Sequence, residues 1–290
     1  LKKKEKYDLI FLGDSFTEGV GLNYEDTFVG LFENKSKMNI LNLGVQSYSP
    51  SLHLKKINFL IKNKVKFKEA IIAIDISDLY DEFSYNPKLM YDNENNTGIC
   101  KVASINKSNN FEIIPKIKFY LNKYFPITFI SSKNIWWKLK SSERVNISYN
   151  TEYLNYNYYK SVWTYDLDIA SKQSNKSLDC IKFSIKQLTN VTNKIYEVLK
   201  NEGIEMSLLI YPWPGTIIHD SVESEYVKLW KEFCSLKCKK FYNAFPIIFE
   251  ELKYLDKSEL IDKYYFNYDL HFNKKGNELI ANFIYNNYFK

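Results

Sequence analysis

Four short, almost unbroken apolar runs constrain this chain more than any other feature: residues 7–12, 38–45, 69–76 and 205–211. Each is too short for a stable helix and too apolar for a strand with one wet face. They fit strands covered on both sides, as in a parallel sheet. A shorter run at 239–243 supplies a fifth strand. Between the runs, apolar residues recur at helical spacing. Asp26 is expected to cap a helix carrying Phe28, Leu31 and Phe32, and a second helix at about 51–63 presents Leu54, Ile57, Leu60 and Ile61. Residues 179–201 form a long amphipathic helix, 222–236 another, and 274–289 a closing one with Leu279, Ile280, Phe283 and Ile284 facing inward. This alternation predicts a three-layer α/β/α sandwich around a mostly parallel, five-stranded, flavodoxin-like sheet.

The alternation lapses from about 83 to 177, where Asn, Tyr, Ser, Lys and Trp dominate and short helices are expected at 113–123 and 132–140. That stretch reads as an insertion or lid on one domain spanning residues 1–290. Trp136, Trp137 and the tyrosines from Tyr149 to Tyr159 are candidates for stacking on sugar faces. With 24 tyrosines in the chain, ordinary packing is the plainer reading.

Composition excludes several classes. A chain 45% hydrophobic and 26% charged is neither disordered nor fibrous. Its net charge of +6 comes from lysine, and Arg144 is the one arginine. Reading bases or clamping phosphates leans on arginine forks, so no nucleic-acid partner is expected. No apolar run reaches the roughly 18 residues that span a bilayer. The sequence gives no firm sign of a membrane or protein partner. It opens Leu1-Lys2-Lys3-Lys4. If a signal or anchor has been removed, the cell envelope or periplasm is expected, and otherwise the cytoplasm. Cys100, Cys180, Cys234 and Cys238 form no C-x-x-C pair and are expected as free thiols, although Cys234 and Cys238 sit four apart on a helix. The cysteines leave the compartment open.

In a parallel sheet, chemistry gathers where strands end. The first run stops at Gly13-Asp14-Ser15, and the later ones at Gly44, at Ser77-Asp78 and at Pro212-Trp213-Pro214. A serine between strand and helix exposes its hydroxyl at the rim, near backbone N–H groups. It needs a base. Only His53, His219 and His271 are available. His53 begins a helix and is expected to be structural. His219 is followed directly by Asp220, a spacing that hardly lets the two pair; its loop is a candidate substrate contact. His271 stands in Asp269-Leu270-His271-Phe272-Asn273 before the last helix, where Asp269 can hold one ring nitrogen and aim the other outward. Asn273 is the expected cap. Asp14, Asp78, Trp213 and His219 are the candidate substrate-binding residues. Asp78, Asp81 and Glu82 suit a helix start better than a metal, and no metal is expected.

Gly13-Asp14-Ser15-Phe16-Thr17-Glu18-Gly19 resembles the first block of the GDSL or SGNH hydrolase superfamily. Asp269 and His271, followed by Asn273 and Gly276, resemble its last block. The resemblance covers the two ends of the chain and implies a serine esterase or O-acyltransferase. It implies Ser15 as nucleophile, His271 as base and Asp269 as orienter, and an oxyanion hole from Ser15, Gly44 and Ser77. It implies no cofactor. Two departures stand out. The family's third block is usually G-x-N-D, with the Asn as oxyanion donor, whereas this chain has Asp75-Ile76-Ser77-Asp78. The commoner final spacing is D-x-x-H, whereas here it is D-x-H, similar to relatives linked to polysaccharide acyl groups. The expected activity is hydrolysis of an O-acyl ester, O-acetyl above all, on a carbohydrate or small ester. The alternatives are O-acyl transfer to a glycan, or a non-catalytic carbohydrate-binding scaffold with a degenerate site.

Overall fold

The computed structural model describes residues 6–85, 160–174, 177–267 and 269–290. Their elements run β1 (Lys6–Leu12), α1 (Ser15–Glu18), α2 (Phe28–Ser36), β2 (Ile40–Asn42), α3 (Pro50–Lys62), β3 (Lys66–Ala73), α4 (Asp78–Tyr85), α5 (Leu167–Ser174) and α6 (Leu178–Asn201). They continue β4 (Glu205–Ile210), α7 (Pro214–His219), α8 (Glu225–Cys234), β5 (Phe241–Asn243), α9 (Phe245–Phe249), α10 (Lys257–Tyr264) and α11 (Lys274–Tyr288).

The five strands form one sheet in the order β2-β1-β3-β4-β5, and every pairing is parallel. The apolar runs explain this. Leu9, Ile10, Phe11 and Leu12 of β1, Ala70 to Ile72 of β3 and Leu208 to Ile210 of β4 are all fully buried, as strands sandwiched between helices must be. On one face α2 packs against α11, and on the other α3 and α4 pack against α6. The architecture is the predicted three-layer sandwich.

The register fixes the site. Leu12 pairs with Ile72, and Ala73 pairs with Leu209. Residues 13–15, 74–77 and 211–213 therefore leave neighbouring strands at the same rim.

Four expectations are corrected. The strand placed at 69–76 runs from Lys66 to Ala73, because exposed Lys66 and Lys68 extend the ladder at its amino end. The cap of α2 is Thr27, whose Oγ1 accepts the Gly30 N–H at 3.1 Å, while Asp26 closes a short 3₁₀ turn and pairs with Lys274 at 2.9 Å. Cys234 and Cys238 are joined in a disulfide, and Cys180 is disulfide-bonded as well. Free thiols were expected, but α8 ends at Cys234, and the turn that follows brings Cys238 back to within 4.6 Å, Cα to Cα. Finally, part of the expected insertion belongs to the core. Val162, Trp163 and Ala170 are buried, and the Trp163 indole donates to the Ile76 carbonyl at 3.1 Å. The helices expected at 113–123 and 132–140, and the aromatics Trp136, Trp137 and Tyr149 to Tyr159, lie outside the described residues. Among those residues, no helix is long and apolar enough to cross a membrane.

Candidate active site

β1 can turn sharply because Gly13 carries no side chain: a Cβ there would meet Thr17 Oγ1 at 2.1 Å. Asp14 then caps α1, its Oδ1 accepting the Phe16 N–H at 3.0 Å. Gly19 closes the single turn at φ 82°. Ser15 is therefore the first residue of a one-turn helix. Its N–H has no intrahelical acceptor there and points with the positive end of the local dipoles.

The partner comes from the other end of the chain. Asn273 caps α11 by accepting the Gly276 N–H at 3.1 Å, and its Nδ2 donates to the carbonyls of Lys263 and Tyr265. Gly276 permits this approach, since a Cβ there would lie 2.2 Å from the Tyr264 carbonyl oxygen. The Phe266 N–H donates to the His271 carbonyl at 2.9 Å and closes the loop. His271 then lies with Nε2 2.7 Å from Ser15 Oγ and Nδ1 2.5 Å from Asp269 Oδ1. The same aspartate oxygen accepts the His271 backbone N–H at 2.9 Å. A proton on Nδ1 satisfies the carboxylate and leaves Nε2 to accept from Ser15. Burial pushes Asp269 up, but bonds from the His271 ring and backbone and from the Leu270 N–H outweigh it, so the carboxyl sits below its ordinary range. Phe16, itself buried, packs on the imidazole at 4.9 Å between ring centroids.

The structure thus brings Ser15, His271 and Asp269 together. It does not offer Gly44 as a donor, because the Gly44 N–H donates to Asn42 Oδ1 at 2.9 Å. Glycine is required there for another reason: a Cβ would sit 2.3 Å from the Glu18 nitrogen, so the β2 loop lies directly on α1. Asn42 Nδ2 reaches the Thr17 carbonyl at 2.8 Å, and Glu18 Oε2 accepts the Gln46 N–H at 2.7 Å. Nor is Ser77 free. Its N–H donates to Asp75 Oδ1 at 2.6 Å and its hydroxyl to Asp81 Oδ2 at 3.2 Å. A carboxylate four residues on takes the proton that the expected oxyanion role needed.

Three of the four candidate substrate contacts are buried instead. Asp14, Asp78 and Trp213 are 3%, 1% and 2% exposed. The Trp213 indole donates to Asp75 Oδ2 at 2.6 Å, and Asp78 Oδ2 accepts the Asp75 N–H at 2.8 Å. His219 is exposed and stacks on Tyr165. His53 lies in α3, fully buried, and burial together with Lys56 pushes it down to about 3. Of the acidic group at α4, Glu82 accepts the Ser51 N–H and hydroxyl, both at 2.7 Å.

One residue escaped the sequence reading. Between Gly44 and Tyr48 the N–H groups donate to Asn42, Gly13, Glu18 and Val45, which leaves only the Ser47 N–H without an acceptor among the described residues. Ser47 is exposed at this rim and holds φ 60°, where a side chain is disfavoured. Its sequence neighbourhood carries no signal of that backbone.

No family model matches the chain, and no curated protein matches it. Among solved structures, it is similar to a protein from Desulfitobacterium hafniense DCB-2 described as lipolytic and of the G-D-S-L family. That likeness spans 98% of this chain and 99% of the other, at 12% identity and a TM-score of 0.43. It is too loose to carry an argument, so the fold and the site rest on this chain's own geometry.

Proposed function

We propose that this protein is an acyl-transferring serine enzyme of the SGNH kind, with Ser15 as nucleophile, His271 as base and Asp269 as orienter. One observation carries the reading: the unbroken line from Ser15 Oγ through His271 to Asp269, at 2.7 and 2.5 Å. As Ser15 Oγ bonds to an ester carbonyl carbon, its proton passes to His271 Nε2, and Asp269 stabilises the imidazolium. The carbonyl oxygen becomes an oxyanion, held by the N–H groups of Ser15 and Ser47. Collapse breaks the ester C–O bond, and His271 returns the proton to the departing alcohol. The acyl-Ser15 ester then passes to water or to another hydroxyl, deprotonated in turn by His271. No step calls on a metal or cofactor.

The substrate we infer is an O-acyl ester, O-acetyl above all, carried by a carbohydrate. The aromatic-rich stretch supports this from sequence alone. Transfer to a glycan hydroxyl differs only in the acceptor. The disulfides support an oxidising compartment such as the cell envelope.

A phosphonofluoridate probe tests the nucleophile. The wild type is expected to be labelled at Ser15 and Ser15→Ala not at all. A folded wild type that resists labelling overturns the enzyme reading and leaves the carbohydrate-binding scaffold. Acetate release from acetylated sugars, with and without an acceptor glycan, separates hydrolysis from transfer.

A further inference from the structure

At the rim where Ser15 stands are three carboxyl groups with almost no access to water: Asp14, Asp75 and Asp78, at 3%, 0% and 1% exposed. Asp14 follows β1, Asp75 follows β3, and Asp78 opens α4; β1 and β3 are paired neighbours. Their hydrogen bonds are unequal. Asp75 has a donor on each oxygen, the Ser77 N–H and the Trp213 indole, both at 2.6 Å. Asp14 Oδ1 accepts from the Phe16 N–H at 3.0 Å and the Tyr211 hydroxyl at 3.4 Å, and its Oδ2 lies 3.4 Å from Ser15 Oγ, whose one proton is directed to the nearer His271 Nε2. Asp78 Oδ2 accepts the Asp75 N–H at 2.8 Å, but Asp78 Oδ1 is buried with no partner among the described residues.

The other ionisable groups acting on Asp78 do not neutralise it. Among the described residues, those acting on it most are Asp14, Asp75 and Asp81, and the buried phenols of Tyr211 and Tyr226 stand nearby. Lys160 acts on Asp75 and Asp81. Among the described residues, no lysine, arginine or histidine side chain is hydrogen-bonded to any of the three carboxyls. A bare oxygen on a buried, ionised carboxylate is a costly arrangement. A proton turns that oxygen into a donor and removes one of the crowded charges.

We propose that Asp78 is a neutral carboxylic acid in the working protein, its proton on Oδ1, and that it acts as a positioning residue by limiting the negative charge at the rim where Ser15 stands. Its catalytic consequence rests on reading Ser15 as the nucleophile, whereas the proton itself does not. Burial, then Asp75 and Asp14, push Asp78 well above the ordinary carboxylate range; burial and Asp75 push Asp14 the same way, and what sets Asp78 apart is its buried oxygen without a partner among the described residues. Attack by Ser15 creates an oxyanion at the same rim, which an ionised Asp78 would oppose. Activity should therefore fall on the alkaline side as Asp78 loses its proton. Asn at this position keeps an acceptor for the Asp75 N–H, supplies N–H donors where the proton stood, and cannot ionise.

The sign for stability follows. A carboxyl raised in the folded state is protonated in both states at low pH. As pH rises through the ordinary carboxyl range, only the unfolded chain gives up its proton, so the wild type loses stability. Asp78→Asn avoids that loss, and its Tm advantage should widen from about pH 4 to about pH 8. Infrared spectroscopy on the wild type at neutral pH should show the C=O stretch of a buried protonated carboxyl, lost in Asp78→Asn and kept in Asp14→Asn. Probe labelling should extend to higher pH in Asp78→Asn than in the wild type. A wild type without the carboxyl band, a band unchanged in Asp78→Asn, or a Tm gap independent of pH overturns the proton. Identical alkaline limits for labelling overturn the positioning role. A band that depends on Asp78 in a wild type that never labels overturns the nucleophile reading and leaves the proton standing.

Discussion

In the proposed mechanism Ser15 attacks only if His271 takes its proton, and the two stand 2.7 Å apart. His271→Ala should slow probe labelling by about a thousandfold. Asp269→Asn should cost less, because the amide oxygen still accepts the Nδ1 proton but no longer offsets the imidazolium charge. Second-order labelling rates of variants with unchanged circular dichroism check both. These three residues were legible in the sequence for a plain reason. The chain has three histidines, only one of them two residues from an aspartate before a helix, and only one serine directly follows the first strand. Beyond Ser15, the donors of the proposed oxyanion hole were not legible, since a donor is free only if nothing else claims it. Asn42 claims Gly44 and Asp81 claims Ser77, and those bonds depend on side-chain directions that spacing does not carry. Ser47, at φ 60°, stands where glycine would have been the signal. Asp14, Asp78 and Trp213 follow strands as expected of substrate contacts, yet they turn inward to one another.

At the scale of elements, α1 is a single turn and cannot hold its own position. It is braced by the β2 loop, whose Gly44 lies against the backbone of Thr17 and Glu18. Backbone atoms cannot rotate aside, so Gly44→Ala should push α1 and Ser15 together. The expected result is a stability loss of about 1–3 kcal/mol, seen in denaturant unfolding, and slower labelling than that loss alone explains. Elements with a long period were readable: the 24-residue α6 appears in the apolar spacing within a residue or two of its ends. The short helices were not. α7, with six residues, and α9, with five, hold too few turns for a pattern to emerge, and α5 lies in a stretch whose aromatic, polar composition hides a buried face. The Cys234–Cys238 disulfide escaped because it depends on where α8 stops.

The molecule as a whole is tied together by Glu69, the one charged residue of β3 that is buried. It accepts from Ser207 of β4 at 2.6 Å, from Lys239 before β5 at 3.0 Å and from Tyr288 of α11 at 3.1 Å. Lys239→Met strands that carboxylate, and since Lys239 is itself about one-third exposed the cost should be about 2 kcal/mol, below that of a fully buried pair. Thermal unfolding reads the loss, while probe labelling of the folded fraction should not change. The sandwich followed from the apolar runs, whereas this latch did not, because a glutamate in a strand announces no partners. The long span at the candidate site is another matter: Ser15 and His271 stand 256 residues apart. Closing so large a loop is entropically slow, and it requires both ends of the sequence to exist. During synthesis, β1 and α1 leave the ribosome well before α11, and their serine is then an ordinary alcohol. It acquires a base only when the loop before α11 has emerged and docked. Half-made chains are chemically silent, so onset of probe labelling during translation would time the completion of the fold.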